Sequence, residues 1–377
     1  MKEIRMVDLL SQYEKIQTEI GKALSGVIQS SQFIHGPEVR AFQEELAEFM
    51  GCRHVITCAN GTDALQLACM ALNLKPGDEV ITTDFSFVST LEIIALLGLK
   101  PVLVDIRPDT FNIDPDEIEK HITPKTKAII PVHLYGQCAD MERIMQIAAK
   151  YGLYVIEDTA QAIGAEYRFP DGTVKKAGTI GTIGTTSFFP SKNLGCYGDG
   201  GAIFTNDDAL ADELRSLANH GQKEQYHYQR VGVNSRLDAI QAAILRVKLR
   251  YLQDYTQARR EAAAFYDKAF QQWEALSIPA RATNSTHVFH QYTITLHGIN
   301  REELRKALAA KKIPTMVYYP KPLHAHSAYK YLNYADKEFP IAVDMSNRVL
   351  SLPMHSELDA TQLEYITSAV KEFIQQQ

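Results

Sequence analysis

Along the first half of the chain, short apolar runs alternate with stretches whose apolar residues recur every three to four positions. Val39, Phe42, Leu46 and Phe49 follow helical spacing and predict an amphipathic helix. His54–Cys58 is an apolar strand, and Asn60-Gly61-Thr62-Asp63 turns the chain into a second helix, through Ala64-Leu65 to Met70-Ala71-Leu72. Lys75-Pro76-Gly77-Asp78 is a turn, and a strand follows over 79–82. Further strands are predicted over Lys100–Val104, 127–132 and 153–156, with a helix over Met141–Tyr151. This alternation implies βαβ units, that is, a mostly parallel sheet with helices on its faces.

The pattern changes near Gly178. Ser187-Phe188-Phe189 and Gly201–Thr205 read as short strands joined by a turn rich in glycine (Gly198, Gly200, Gly201). A long helix is predicted from about Leu237, with Ile240, Ile244, Val247 and Tyr251 on one face. Its charged part, from Gln257 to Glu261, leads the chain away from the first core. From Tyr255 onward parallel-sheet runs become scarce. The expected division is therefore a large domain over 1–254 and a smaller C-terminal α+β domain over 255–377, the N-terminal segment being free to pack on the small one.

A length of 377 residues suffices for two such lobes with a sizeable core. Hydrophobic residues at 45% and charged residues at 22% are ordinary for a soluble globular protein. A net charge of -6 gives no global attraction for nucleic acid or an anionic membrane. Cys52, Cys58, Cys69, Cys138 and Cys196 are odd in number and show no CxxC spacing, which argues against a disulfide framework or a metal site. Lys2, Glu3, Arg5 and Asp8 interrupt the first ten residues, so the apolar core of a signal peptide is missing. No apolar run is long enough to span a bilayer. A cytoplasmic protein is the expectation.

In open α/β sheets, ligands sit at the carboxyl ends of the strands. After His54–Cys58, the Gly61-Thr62 turn opens a helix whose free N–H groups suit a phosphate; a tight turn capped by Thr62 or Asp63 is the plainer reading. After 153–156 come Glu157-Asp158, where an acid either caps the next segment or keeps a ring nitrogen protonated and strengthens a pyridinium as an electron sink. Lys192 lies between apolar segments beside the glycine-rich turn. Most lysines are solvated, but a desolvated one loses its proton readily, and the neutral amine forms Schiff bases. Gly198-Asp199-Gly200-Gly201 does not fit GxGxxG after a strand, so a dinucleotide site is not supported.

The order of these pieces, with several longer matches, is specific. They include Gly36-Pro37-Glu38-Val39, Asn60-Gly61-Thr62-Asp63-Ala64-Leu65, Pro76-Gly77-Asp78-Glu79-Val80 and Pro131-Val132-His133-Leu134-Tyr135-Gly136-Gln137. Further along come Glu157-Asp158-Thr159-Ala160-Gln161-Ala162, the run 187–192, Gly198-Asp199-Gly200-Gly201, His220-Gly221 and Asn234-Ser235-Arg236-Leu237-Asp238, then Tyr319-Pro320 and Leu350-Ser351-Leu352-Pro353-Met354. On these motifs nearly the whole chain resembles the DegT/DnrJ/EryC1/StrS family of nucleotide-sugar aminotransferases. The resemblance implies the pyridoxal-phosphate (PLP)-dependent transferase fold of type I, aspartate-aminotransferase-like, with PLP as cofactor. It implies Lys192 as the Schiff-base lysine, Asp158 at the pyridinium nitrogen and Gln161 at the ring hydroxyl. Gly61, Thr62 and Ser187 would bind the phosphate, and Phe87 would stack on the ring. Asn234 would reach the cofactor phosphate of a neighbouring subunit, which implies a homodimer with shared active sites.

The same resemblance implies glutamate as donor and a keto sugar as acceptor. The stretch 187–208, with 230–236, is similar to the branch that aminates C3 of a nucleotide sugar, of the type acting on UDP-2-acetamido-3-keto-glucuronic acid for surface polysaccharide. Arg236 would grip a carboxylate in forked geometry, or else pair with Asp238. Tyr318-Tyr319-Pro320 stands where the family often has His-Tyr-Pro. That departure keeps a dTDP-3-keto-6-deoxyhexose or a 4-keto nucleotide sugar as the alternative acceptor. Tyr318, Tyr319 and His324 are the candidate substrate contacts on this side, His324 having a packed surface histidine as its plainer reading. His133 and Tyr135 end a strand and carry no assignment. The rivals are a sugar dehydratase, whose branch replaces the lysine with histidine, and a non-enzymatic regulatory protein on the same fold.

Overall fold

A computed structural model describes residues 2–376. Two N-terminal helices, α1 (Leu9–Ser30) and α2 (Pro37–Met50), precede the strands β1 (His54–Cys58), β2 (Glu79–Thr83), β3 (Lys100–Val104), β4 (Thr126–Ile130) and β5 (Tyr154–Asp158). Between them lie α3 (Gly61–Ala71), α4 (Ser89–Leu96), α5 (Pro115–Lys120) and α6 (Met141–Tyr151). A small hairpin, β6 (Glu166–Arg168) and β7 (Val174–Lys176), leads into β8 (Ile183–Ser187) and β9 (Gly201–Thr205). The central sheet has seven strands in the order β1-β9-β8-β5-β4-β2-β3. Pairing is parallel from β8 through β3 and antiparallel at β8–β9 and β9–β1.

Both faces of the sheet are covered, which is why its strands read as continuous apolar runs rather than alternating ones. Val80, Ala128, Ile130 and Ile156 pack with α3 and with Leu214 and Leu217 of α7 (Asp208–Ala218). Their neighbours Ile81, Ile129 and Val155 point the other way, onto Ile118 of α5 and Ile144 and Ile147 of α6.

Three elements differ from the sequence expectation. The strand expected over Ser187-Phe188-Phe189 ends at Ser187 and begins at Ile183. Its central residues Gly184, Thr185 and Thr186 are buried yet not apolar. The threonine hydroxyls donate to the carbonyls of Glu157 (3.0 Å) and Thr159 (3.3 Å), so a core strand carries a polar signature. The strand expected over 153–156 is displaced to 154–158, and so includes both acids. The long helix expected from Leu237 is two helices, α8 (Ala239–Leu249) and α9 (Leu252–Phe270), interrupted at Arg250-Tyr251. Ile244 and Val247 of α8 pack on Ile16 and Ile20 of α1, with Ile240 and Tyr251 beside them.

A second small hairpin, β10 (Gln222–Glu224) and β11 (His227–Tyr228), projects before α8. Helix α9 passes from one core to another. Leu252 belongs to the large core, whereas Ala262, Ala263, Tyr266 and Phe270 pack on a separate antiparallel sheet. That sheet comprises β12 (Leu276–Ser277), β13 (Tyr292–Leu296) and β14 (Val349–Leu352). It is covered by α9, α10 (Arg301–Ala310) and α12 (Ala360–Gln375). Ile4 joins this smaller core, and Met6 accepts a backbone hydrogen bond from Met354 (3.3 Å). Between the two sheets, Leu323, Tyr329, Phe339 and the helix α11 (Pro340–Arg348) pack on Phe85, Leu103 and Phe111, beyond the strand ends of the large sheet.

Glu157, fully buried on β5, ties the sheet to the loop preceding β8. Its Oε1 accepts from the backbone of Ile180 (2.7 Å) and Gly181 (2.6 Å), and its Oε2 from Gly178 (2.9 Å) and from His133 Nε2 (2.9 Å). The Ala139 N–H donates to His133 Nδ1 (3.0 Å), so the ring proton sits on Nε2 and points at the carboxylate. His133, left open by the sequence, is thus a structural partner. Replacing Glu157 with Ala strips three buried N–H groups of their acceptor. At 1–3 kcal/mol for each unsatisfied group, Glu157→Ala is expected to cost about 3 kcal/mol or more. Urea unfolding checks this: an unchanged midpoint would mean that water takes over the carboxylate's role.

Candidate active site

The carboxyl ends of β1, β2, β5 and β8 open on one cavity of about 690 Å³, closed on its far side by residues of the C-terminal part. From β1 it receives Asn60, Gly61 and Thr62; from the segment after β2, Ser86, Phe87, Val88 and Ser89; from β5, Asp158 and Gln161. From β8 onward it receives Ser187, Phe189 and Lys192. The far wall consists of His290, Gln291, Tyr318, Tyr319, Pro320, Lys321, Leu323 and His326.

Asn60 caps α3 by accepting from the Asp63 N–H (2.8 Å), so the cap is neither Thr62 nor Asp63. The amides of Gly61 and Thr62 open the helix and have no intrahelical acceptor. They point into the cavity end of a helix, where the dipole favours an anion. Gly61 packs on the end of β8 so closely that an added Cβ would lie 2.7 Å from the Ser187 Cβ. Gly201 is equally confined: a Cβ there would meet the Asn60 carbonyl oxygen at 2.4 Å. The glycine run after Lys192 thus lets β9 approach the turn at the head of α3. Thr62 Oγ1 and Ser89 Oγ lie 2.6 Å apart. Two amides and the hydroxyls of Thr62 and Ser187 form the cradle.

Asp158 ends β5 with its carboxylate only partly engaged. Thr90 Oγ1 donates to Oδ2 (2.8 Å) and the Ala160 N–H to Oδ1 (3.1 Å). Gln161 is fixed at both ends: its Oε1 accepts from the Tyr135 N–H (2.7 Å), and its Nε2 donates to the Tyr319 hydroxyl (3.1 Å). A backbone donor sets the orientation of this amide. Tyr135 in turn donates its hydroxyl to the Tyr318 carbonyl, linking the loop after β4 to the far wall. Phe87 presents an exposed ring to the cavity.

Lys192 is half-buried, its amine reaching the cavity through protein. Burial pushes it down to about 8, against the pull of Asp158, which acts in the opposite direction. Near neutral pH a usable fraction of the amine is therefore unprotonated. His290, buried in the same wall, lies well below its ordinary value through burial, with Lys192 adding to the effect. Its neutral ring leaves the neighbouring amine without a competing positive charge.

Nine of the residues singled out from the sequence meet at this cavity: Lys192, Gly61, Thr62, Phe87, Asp158, Gln161, Ser187, Tyr318 and Tyr319. Three do not. Asn234 is exposed and bridges Asn219. Arg236 is half-buried beyond the cavity, close enough to His35 to lower its pKa after burial has done so. His324, expected to line the pocket or pack at the surface, is buried behind the wall between Asp84 (2.5 Å) and Asp336 (3.0 Å). Ser89, Thr90, His290 and Gln291 carry no separate signal. Each lies in a short polar pair flanked by apolar or aromatic residues, and only the fold brings Ser89, His290 and Gln291 to the cavity and Thr90 to Asp158.

The residues present fit a PLP-type group. An amine free to bond, an acid with spare acceptor capacity, an aromatic face and a cradle of donors surround one cavity. A match to the DegT/DnrJ/EryC1/StrS aminotransferase family covers residues 14–371. The chain is 48% identical to the UDP-2-acetamido-2-deoxy-3-oxo-D-glucuronate aminotransferase of Pseudomonas aeruginosa, over 97% of this chain and 99% of that one. It is 47% identical to the pleiotropic regulatory protein of Geobacillus stearothermophilus, over 98% of each. Among solved structures, a DegT DnrJ EryC1 StrS aminotransferase from Brucella abortus superposes with a TM-score of 0.93 at 41% identity, covering 98% of this chain and 99% of that one. NtdA from Bacillus subtilis, solved with bound cofactor PMP, superposes with a TM-score of 0.88 at 31% identity, covering 98% of this chain and 83% of that one.

The depressed amine makes a prediction independent of turnover. In cofactor-free protein, the rate at which Lys192 reacts with an amine-directed reagent should rise with pH around a midpoint near 8, rather than at about 10.4 as for a solvated lysine. Asp158→Asn removes the charge that raises it and should move the midpoint lower still. Peptide mapping by mass spectrometry reads both, and a midpoint near that of a free lysine would refute the assignment.

Proposed function

The chain belongs to the DegT/DnrJ/EryC1/StrS aminotransferase family of PLP-dependent transaminases, and on that premise we propose that it moves an amino group from glutamate to C3 of a UDP-linked 3-keto sugar, of the 2-acetamido-3-keto-glucuronic acid type. One observation carries the reading: the amine of Lys192, held near neutrality by burial, shares a cavity with Asp158 and the phosphate cradle. The acceptor follows from the 48% identity to a relative named for that sugar acid, which extends over nearly the whole of both chains.

PLP, when bound, supplies an aldehyde for an amino group and a conjugated ring that takes up an electron pair. The remaining work falls to the protein. Lys192 Nζ would hold the cofactor and, once a donor amine took its place, would be free as a base. From there it is positioned to take and return the proton of the donor's α-carbon. Positioned general acid–base transfer of this kind contributes about 10²–10⁴-fold. Asp158, steadied by Thr90 and the Ala160 N–H, has free lone pairs that would meet a ring nitrogen and keep it protonated. Gln161 would face the ring hydroxyl, Phe87 would cover one ring face, and Gly61, Thr62 and Ser187 would take the phosphate. With the keto sugar in place of 2-oxoglutarate, the same proton transfers run in the opposite direction.

We assign Asn234 to the site of a second copy in a homodimer; its exposure and its absence from this chain's own cavity support that assignment. Arg236 lies in the same segment and is assigned to the carboxylate of donor or acceptor in that shared site. Among the described residues, no helix is long and apolar enough to cross a membrane.

Lys192→Ala should abolish turnover and the visible absorbance of the lysine-bound cofactor. Adding glutamate alone to the wild type should convert that band to the pyridoxamine form, whereas a regulatory protein would leave it unchanged. UDP- and dTDP-linked 3-keto and 4-keto sugars, assayed with glutamate and read by product mass, decide the acceptor. Preferred use of a dTDP-linked sugar would reject the UDP sugar acid.

A further inference from the structure

Asp84 is fully buried one residue beyond β2, immediately before the Phe85-Ser86-Phe87 segment that turns into the cavity. The segment opposite runs from Tyr318 through Lys321 and Leu323 to His326, all of which line the cavity. Asp84 joins the two. Its backbone carbonyl accepts from the Leu323 N–H (2.8 Å) and its Oδ1 from the His324 N–H (2.8 Å). Its Oδ2 lies 2.5 Å from His324 Nδ1. The other ring nitrogen, Nε2, lies 3.0 Å from Oδ1 of Asp336. A ring that donates to carboxylates at both nitrogens carries both protons, so His324 is a cation between two anions. Phe339 packs on the ring, with centroids 4.8 Å apart.

The charges around this pair come from several elements. Asp336 belongs to a short helical turn and is exposed. Asp105, past β3, is buried nearby and occupied by the Ile341 and Ala342 N–H groups (2.8 and 2.9 Å). Tyr334 donates no proton to the pair; its hydroxyl accepts from the Leu103 N–H (3.2 Å). Burial pushes Asp84 up to about 6 in spite of its bonds to His324. Burial also opposes the charged ring, yet the hydrogen bonds to Asp336 and Asp84 outweigh it and hold His324 above its ordinary value. His324 is thus the buried cation that the Asp84 carboxylate faces, and the carboxylate orders the chain that carries it.

We infer that Asp84 and His324 are positioning residues for the acceptor: their ion pair holds the Tyr318–Lys321 wall and Leu323 at a fixed distance from Phe87, and so sets the slot into which the keto sugar must fit. The inference rests on the transaminase reading for its substrate but not for its geometry. Lys192, Asp158 and the phosphate cradle stand on the strand ends, independent of the clamp. Glutamate is smaller than a nucleotide sugar and needs less of the far wall. Loosening the clamp should therefore weaken acceptor binding more than donor chemistry.

The test compares wild type, His324→Gln and the double variant Asp84→Asn/His324→Gln as holoenzymes. The single variant leaves a buried carboxylate unpaired and is at risk of not folding. The double variant removes both charges together and keeps the proposal testable. Two readouts are taken. Amide exchange over 317–326 should quicken by about tenfold or more in either variant, while exchange over β5 and β8 stays as in the wild type. KM for whichever keto sugar the wild type prefers should rise about tenfold or more, with the rate of the glutamate half-reaction within about threefold of wild type. Unchanged exchange over 317–326 overturns the clamp, and so does a glutamate half-reaction that falls as far as the acceptor half-reaction. A wild type that fails to react with glutamate refutes the functional reading instead, and the exchange measurement then decides the clamp alone.

Discussion

An ammonium group taken out of water loses hydration that no single neighbour fully replaces, so a lysine drawn into protein gives up its proton more easily. Lys192 is in that position, and much of the seven-stranded sheet serves to keep it there. It follows β8, whose threonines are bonded into the neighbouring strand, and Gly61 and Gly201 allow the turn after β1 to close over the end of β8. Moving β8 by one residue would turn Ser187 away from the cradle and carry the lysine with it. The chemistry of one amine thus depends on the registry of a buried sheet.

Three acids at strand ends show how the same functional group acquires different duties. A carboxylate has about four lone-pair sites. Glu157 faces four donors, three of them backbone amides, and has no capacity left for a ligand. Asp84 is taken up by His324 and the chain that carries it. Asp158 accepts from Thr90 and Ala160 only, and it alone of the three lines the cavity. Burial does not separate them, since all three are buried. The number of unfilled acceptor positions does, and that number assigns the ligand-facing role to Asp158.

Part of this arrangement is visible in the bare chain and part is not, for physical reasons. Strands β1 to β4 announce themselves because both faces of the sheet are covered and each carries a run of buried apolar residues. Strand β8 is hidden because its buried residues are glycine and threonine, which satisfy the backbone-rich environment by hydrogen bonding instead of by hydrophobicity. The break between α8 and α9 is hidden for the opposite reason: Arg250 and Tyr251 are acceptable in a helix, and no residue there marks an end. At the site, Lys192, Asp158 and Thr62 stand beside turns and strand ends, which local sequence marks. Ser89, His290 and Gln291 reach the cavity, and Thr90 reaches Asp158, from segments far apart in the chain, and nothing in their own neighbourhoods points there. The place of His324 is hidden because a Leu-His after proline reads equally as wall or surface, while its partner Asp84 lies 240 positions away.

The cavity is therefore assembled from two kinds of wall with different mechanical character. The near wall is made of strand ends and the start of α3, locked by sheet hydrogen bonds and by Glu157. Most of the far wall, from Tyr318 to His326, is a connecting segment tied to the large sheet by Tyr135 to the Tyr318 carbonyl, Gln161 to Tyr319, and Asp84 to Leu323 and His324. Groups that must stay within hydrogen-bond reach of one cofactor belong on the rigid wall, because small displacements there cost rate. Groups that must accept first a small amino acid and then a bulky nucleotide sugar belong on the wall with discrete tethers. Such a division leaves the backbone that carries Lys192 in place while the far wall adapts to either partner.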